Sequence, residues 1–275
     1  MNIQDLTKQL INAGIEENEA KQEIKMLLEH FCQYSETDKI MGKKITDADL
    51  VKLKELVQSR IKERKPIQYI IGKAWFMGNY FKVTPEVLIP RDETEILVSK
   101  AIDIINEHSF EDALDIGTGS GCIACTIAKN TNATVLGVDI SSDALRIALD
   151  NVTNLGINNR AIFRKSDLFE RIREGESFDI IVSNPPYIPY GTKLDAEVLH
   201  EPEVALFAEE NGLAIYRRII EKAPKFLNEN GYLMFELGIN EAEQVKSLME
   251  KDFDNIKIIK DLANIDRVIY GKVKK

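Results

Sequence analysis

Asn184-Pro185-Pro186-Tyr187 follows Phe178-Asp179-Ile180-Ile181-Val182, with Ser183 between them. The apolar run reads as a buried parallel strand. Each proline lacks an N–H and fixes φ, so the chain leaves that strand in a stiff, extended turn. Ligands of open α/β sheets bind beyond the carboxyl ends of the strands. At that position Asn184 offers a side-chain oxygen, Pro185 a backbone carbonyl and Tyr187 an aromatic face. Two acceptors side by side suit a planar group with two N–H bonds, such as a carboxamide or an exocyclic base amine. The ring suits a flat group stacked on it. The alternative is a turn that merely ends a strand; the segment's company earlier in the chain argues for chemistry.

That company is Leu114-Asp115-Ile116-Gly117-Thr118-Gly119-Ser120-Gly121. Glycines permit backbone conformations and close approaches that a Cβ would block. Their G-x-G-x-G spacing departs from the G-x-G-x-x-G dinucleotide fingerprint, whose third place here is Cys122. Asp115 stands just ahead of the loop. A carboxylate there repels a pyrophosphate and attracts an ammonium, which favours an amino-acid-bearing nucleoside over a nicotinamide dinucleotide. Asp139, about twenty residues past the loop, can accept both ribose hydroxyls of an adenosine. Its alternative is a helix cap beside Ser141. In Ser166-Asp167-Leu168-Phe169, Asp167 could accept from the adenine amine and Leu168 or Phe169 could cover the ring; the alternative is an ordinary polar turn. Together these positions describe S-adenosylmethionine bound across the first four strands, its methyl aimed at Asn184.

The elements that must hold these groups alternate from residue 111 onward. The pattern predicts strands at 113–116, 134–139, 161–165, 178–183, 232–237, 256–260 and 267–272. Helices are expected at 121–130, 142–155, 213–226 and 240–251, the last opened by an Asn240/Glu243 capping box. The last two strands lie close together, so they should pair antiparallel. This is an α/β fold, a doubly wound, mostly parallel seven-stranded sheet. Ahead of it, residues 1–66 carry helical apolar stripes: Ile3, Leu6, Leu10 and Ile11, then Ala20, Ile24, Leu27, Leu28 and Phe31. A third stripe, Leu50, Leu53, Leu56, Val57 and Ile61, follows Thr46 as N-cap and stops at Pro66. Lys52, Lys54, Arg60, Lys62, Arg64 and Lys65 make that helix basic, either a solvated face or a docking surface. Residues 67–90 are rich in aromatic and β-branched types and read as a linking β-hairpin, including Gln68 to Ile71. A further helix opens over Ile89 to Glu95, with Thr94 or Asp92 as its candidate cap. The expected domains are 1–66, 67–90 and 91–275.

The 275 residues suffice for a sizeable core, in one medium domain and one small one. No run reaches membrane-span length, and the polar start is not a signal peptide, so we expect a cytoplasmic protein with no membrane partner. Formal net charge is −9, and all of the excess acid falls after residue 90. That balance argues against a nucleic-acid substrate. Cys122 and Cys125 read as two small residues packed inside a helix, and we expect no metal.

Asp115-x-Gly117-x-Gly119-x-Gly121, Asp139 and Asn184 to Tyr187, in this order, resemble a class I S-adenosylmethionine-dependent methyltransferase acting on an amino group. Pro66 to Gly72, Ile89-Pro90-Arg91, Thr94-Glu95, and Glu201-Pro202 through Gly212-Leu213 narrow the resemblance to the HemK/PrmC family. It extends over nearly the whole chain, including the helical N-terminal region. Asp92 departs from it, standing where the family usually has proline, and the family often has glycine near Glu209. The resemblance implies methyl transfer from S-adenosylmethionine to the side-chain nitrogen of the glutamine in the Gly-Gly-Gln motif of peptide chain release factors, with S-adenosylhomocysteine as product. It also implies that Asp115, Gly117, Thr118, Gly119, Ser120, Gly121, Asp139, Asp167, Leu168 and Asn184 meet the cofactor. Asn184, Pro185, Pro186 and Tyr187 would hold the glutamine, with Asn184, Pro185 and Tyr187 as the catalytic set. We expect a monomeric enzyme. The rival reading is a methyltransferase for an exocyclic amine of a nucleic-acid base, which would need an exposed or extruded base. A non-catalytic adaptor would keep the helical stripes without needing both the loop and the turn.

Overall fold

The structure is a computed structural model and describes residues 2–275. The chain divides into two compact units, Met1–Lys73 with Leu194–His200, and Ala74–Lys193 with Glu201–Lys275.

The first unit is helical: α1 (Ile3–Asn12), α2 (Glu17–Cys32), α3 (Glu36–Ile40), α4 (Asp47–Glu63) and α5 (Ile67–Ile71). Its core is drawn from the expected stripes, with Leu6, Leu10, Leu27, Leu53 and Val57 almost fully enclosed. Thr46 caps α4 by accepting from the Asp49 N–H at 3.1 Å. Two elements differ from expectation. The short α3 opens on a Ser35–Asp38 capping box that the apolar periodicity does not register. Residues 67–71, read as strand, form one helical turn: the Pro66 carbonyl accepts from Tyr69 and Ile70, and left-handed Gly72 closes it. Here tertiary burial of Ile67, Tyr69 and Ile71 overrides the β preference of the residue types.

The hairpin is therefore shorter than read, β1 (Lys73–Phe76) and β2 (Asn79–Lys82). It turns on Met77 and Gly78, both at positive φ (43° and 81°), as a two-residue hairpin turn requires.

The second unit continues with α6 (Thr94–His108), β3 (Asp112–Ile116), α7 (Cys122–Asn130), β4 (Thr134–Asp139), α8 (Ser142–Asn154), β5 (Ala161–Lys165) and β6 (Phe178–Ser183). A small parallel bridge, β7 (Ile188–Pro189) with β8 (Phe207–Ala208), flanks α9 (Glu203–Leu206). Then come α10 (Ala214–Phe226), β9 (Leu227–Glu236), α11 (Ala242–Met249), β10 (Phe253–Lys260) and β11 (Asp266–Val273). Seven strands form one sheet in the order β10-β11-β9-β6-β3-β4-β5. β11 pairs antiparallel with both β9 and β10, and the remaining pairs are parallel. Apolar residues of α6 and α7 pack one face of the sheet, those of α10 and α11 the other.

The expected capping box of α11 does not form. Asn240 is left-handed (φ 67°), and the helix starts only after Glu241. Cys122 and Cys125 are buried in α7 as expected, and burial pushes the Cys122 thiol up to about 12. Among the described residues no helix is long and apolar enough to cross a membrane.

Candidate active site

Strand order reverses at β3 and β6, where β3 runs beside both β4 and β6. Loops leaving two such strands diverge and open a crevice. Ile116 and Ser183 are register partners, and the Ser183 hydroxyl donates to the Ile116 carbonyl at 2.8 Å. The glycine loop and the Asn184–Tyr187 turn therefore leave the sheet side by side.

Gly117 and Gly119 both sit at positive φ (73° and 54°). A Cβ at Gly117 would meet no protein atom within 4 Å. Packing does not demand glycine there; the backbone conformation does, and the open space is what a ligand would occupy. The loop is braced from below. Asp115 is fully buried and accepts from the Thr118 hydroxyl at 2.6 Å and from the Ala124 N–H at 3.2 Å. Burial pushes its carboxyl up to about 7. Its second oxygen, Oδ1, has no partner among the described residues, the kind of atom an ammonium would satisfy. Thr118 and Ser120 are themselves buried, the Thr118 hydroxyl spent on Asp115.

Asp139 closes the ring around the loop. Its Oδ2 accepts from the Gly119 N–H at 2.9 Å and its Oδ1 from the Ser141 N–H at 2.8 Å. Each carboxylate oxygen keeps a further lone pair for a ribose hydroxyl. A cavity of about 600 Å³ lies beyond it, lined by Ile140, Ser166 and Asp167 and otherwise by charged residues between Arg164 and Arg173; neither Asp139, the glycine loop nor Asn184 lines it. Asp167 comes to that cavity already paired, its two oxygens accepting from Arg218 Nη2 at 2.8 and 2.9 Å. Leu168 is half-buried and left-handed (φ 48°), a costly conformation for a leucine, and is held by the Ser166 hydroxyl donating to its carbonyl at 2.8 Å. Phe169 is excluded as a ring cover: it is buried and stacked on Phe226 at 4.8 Å. The open loop backbone, the unpartnered Asp115 oxygen and the Asp139 carboxylate fit S-adenosylmethionine.

At the turn, Pro185 is buried and Asn184 half-buried. The Asn184 Nδ2 donates to the Thr94 hydroxyl at 3.4 Å, and that hydroxyl donates to Glu236 Oε2 at 2.6 Å. Thr94 is thus no helix cap: Glu93 precedes α6 without a side-chain bond, and Thr94 faces the site. With Nδ2 turned to Thr94, Asn184 leaves its Oδ1 on the other side. Among the described residues nothing donates to Asn184 Oδ1 or to the Pro185 carbonyl. Tyr187 is half-buried, its ring beside Gly238, where a Cβ would fall 2.9 Å from Tyr187 Cδ2. Burial holds its phenol neutral. Arg91 pairs with buried Glu201, which also accepts from the Ile89 N–H at 3.2 Å. Sequence reasoning missed Glu236 altogether. It ends a β-strand 142 positions from Thr94, and no local spacing connects them.

Comparison with known proteins bears on the same segments. The methyltransferase small domain family matches residues 93–266, and the PrmC N-terminal domain matches residues 3–72. The release factor glutamine methyltransferase of Bacillus subtilis is 38% identical over 97% of this chain and 94% of its own length. The chain belongs to the release factor glutamine methyltransferase family. Its relative of the same name in Lactococcus lactis is 41% identical over 85% of this chain and 86% of its own. Among solved structures, a methyltransferase from Pyrococcus furiosus superposes with a TM-score of 0.52 at 20% identity, covering 70% of this chain and 87% of that one. That likeness establishes the class I methyltransferase fold. The chain is an S-adenosylmethionine-dependent methyltransferase.

Proposed function

We propose that this enzyme methylates the side-chain amide nitrogen of the glutamine in the Gly-Gly-Gln motif of peptide chain release factors. The observation that carries the reading is the pair of free acceptors at the turn, Asn184 Oδ1 and the Pro185 carbonyl. The names of the relatives point to the same substrate.

An amide nitrogen is a poor nucleophile because its lone pair is delocalised into the carbonyl, the resonance behind the roughly 18–20 kcal/mol rotation barrier of a peptide bond. When bound, S-adenosylmethionine supplies an electrophilic methyl on sulfur. The protein's task is then to place and polarise the amide. Asn184 Oδ1 and the Pro185 carbonyl accept its two protons and fix the nitrogen. Such placement can contribute about 7–11 kcal/mol in the best cases. The same acceptors favour the positive charge that develops on nitrogen. The proton leaves after transfer, so no side-chain base is needed, and Tyr187, a neutral phenol, is not one. Loop backbone at Gly117 to Gly121, with Asp115 and Asp139, holds the cofactor.

In this reading residues 1–66 grip the protein substrate, 67–90 link, and 91–275 catalyse. Its test is to incubate the enzyme with cofactor and a full-length release factor and to locate the added methyl by peptide mass spectrometry. The expected place is the Gly-Gly-Gln glutamine; a methyl on another residue would reject the assignment.

A further inference from the structure

Asn184 can hold an amide substrate only if its oxygen, not its nitrogen, faces that substrate. A carboxamide has similar shape either way round, so something must choose the face. The choice is made in a chain of two bonds: Asn184 Nδ2 to Thr94 Oγ1, 3.4 Å, and Thr94 Oγ1 to Glu236 Oε2, 2.6 Å. Both Thr94 and Glu236 are 2% exposed, so water does not compete for these bonds. An ionised carboxylate can only accept. It therefore takes the single Thr94 proton, leaves the hydroxyl only lone pairs for Asn184, and so admits only the Asn184 amino group on that side.

We propose that Thr94 and Glu236 are positioning residues that lock the Asn184 amide with its oxygen toward the substrate. This rests on the glutamine-amide reading above. The geometry also sets a condition. If Glu236 takes up a proton it can donate to Thr94, Thr94 can donate to the Asn184 oxygen, and the amide turns round. The Asn184 amino group then faces the substrate N–H that its oxygen would accept, and only the Pro185 carbonyl is left as an acceptor. Burial pushes the Glu236 carboxyl up to about 7, so the reversal falls near neutral pH. Glu93 raises it further, while the Thr94 bond and the cations Arg267 and Arg91 oppose the rise. The titratable groups Tyr187, Tyr216 and Cys122 also feel Glu236. Burial raises all three, so they stay neutral across this range and do not imitate the transition.

The test compares the full-length enzyme with Thr94→Val, Thr94→Ser and Glu236→Gln. Thr94→Val keeps the shape and removes the hydroxyl. Its kcat should fall about tenfold to a hundredfold, an orienting effect no larger than loss of a direct transition-state donor. Cofactor affinity should hold within about twofold, and Thr94→Ser should recover most of the rate because it restores the same bond. Glu236→Gln should abolish the loss of kcat that the parent enzyme shows on acidification through about 7. Wild-type kcat in Thr94→Val, or a loss that Thr94→Ser does not repair, would overturn the proposal. A second readout needs no substrate. In protein labelled with 15N-asparagine, the Asn184 side-chain amide resonances, identified by their loss in Asn184→Asp, should move with pH around neutrality and stop moving in Thr94→Val. Resonances indifferent to pH in the parent overturn the proposal. If the parent leaves release factors unmethylated, the substrate reading falls, and these resonances alone decide the positioning.

Discussion

Arg60 and Glu197 lie 137 positions apart in sequence and form a 2.8 Å ion pair inside the helical unit. Arg60 is 1% exposed and also grips Glu23 through Nε and Nη2 at 3.0 and 2.9 Å. Arg64 reaches the same Glu197 at 2.7 Å, and the His200 ring contacts the Glu63 carbonyl at 2.7 Å. Segment Leu194–His200 is thereby clasped by α4, although it follows the Asn184–Tyr187 turn in the chain. Removing one partner of a buried pair strands the other charge. Arg60→Met should cost roughly 3–5 kcal/mol in urea denaturation, and adding Glu23→Met should recover part of it. A single substitution without effect would show that the pair contributes nothing.

Asn184→Ala should lower kcat by about a hundredfold to a thousandfold, the range for losing one preorganised transition-state contact. Calorimetric affinity for S-adenosylmethionine should fall only modestly. Equal losses in both would make Asn184 chiefly a cofactor ligand.

Two glycines of one loop should fail differently. Gly121 is at φ 78°, and a Cβ there would press on Phe163 at 3.0 Å and Ala148 at 3.1 Å. Gly121→Ala should lower the melting temperature markedly. Gly117→Ala meets no protein atom, so beyond a left-handed cost of about 1–2 kcal/mol its main effect should be weaker cofactor binding. Thermal denaturation with and without cofactor separates the two outcomes.

Stability and activity should move in opposite directions with pH. Burial pushes Asp115, Glu236 and Glu241 up to about 7. Acids raised in the folded state stabilise it fully below their unfolded values, near 4, and lose that contribution as pH rises through about 7. Glu176 is the converse: its bond from Arg164 lowers it to about 2, so its contribution vanishes only as pH falls from about 4 toward 2. Between pH 8 and about pH 5 the raised acids govern. The melting temperature should therefore rise on acidification while kcat falls; Glu236→Gln should flatten the kcat trend and remove only its own share of the melting-temperature trend, because Asp115 and Glu241 remain. Parallel movement of the two in the parent enzyme would contradict this.

How far the sequence carries depends on whether the deciding contact is local. β4, β5 and β6 run over the expected residues; β4 and β6 are mainly apolar runs bounded by turn residues, while β5 is apolar only over Ala161, Ile162 and Phe163. Asp139 and Asn184 were legible because strand ends place them. Residues 67–71 were not, since burial of Tyr69 and Ile71 outweighs their β preference. Arg60 looked like one more cation on a basic face, and only distant Glu23 and Glu197 draw it inside. Thr94 looked like a cap because its true partner, Glu236, comes from a distant strand.

The most direct measurement uses radiolabelled S-adenosylmethionine with a release factor, its Gly-Gly-Gln→Gly-Gly-Glu variant, transfer RNA and DNA in parallel. Two acceptors at the turn can hold an amide and reject a carboxylate, and sites that depend on such hydrogen bonds discriminate by about 10⁴-fold or more. The account predicts label on the glutamine form alone. Label on nucleic acid with none on the release factor would contradict it.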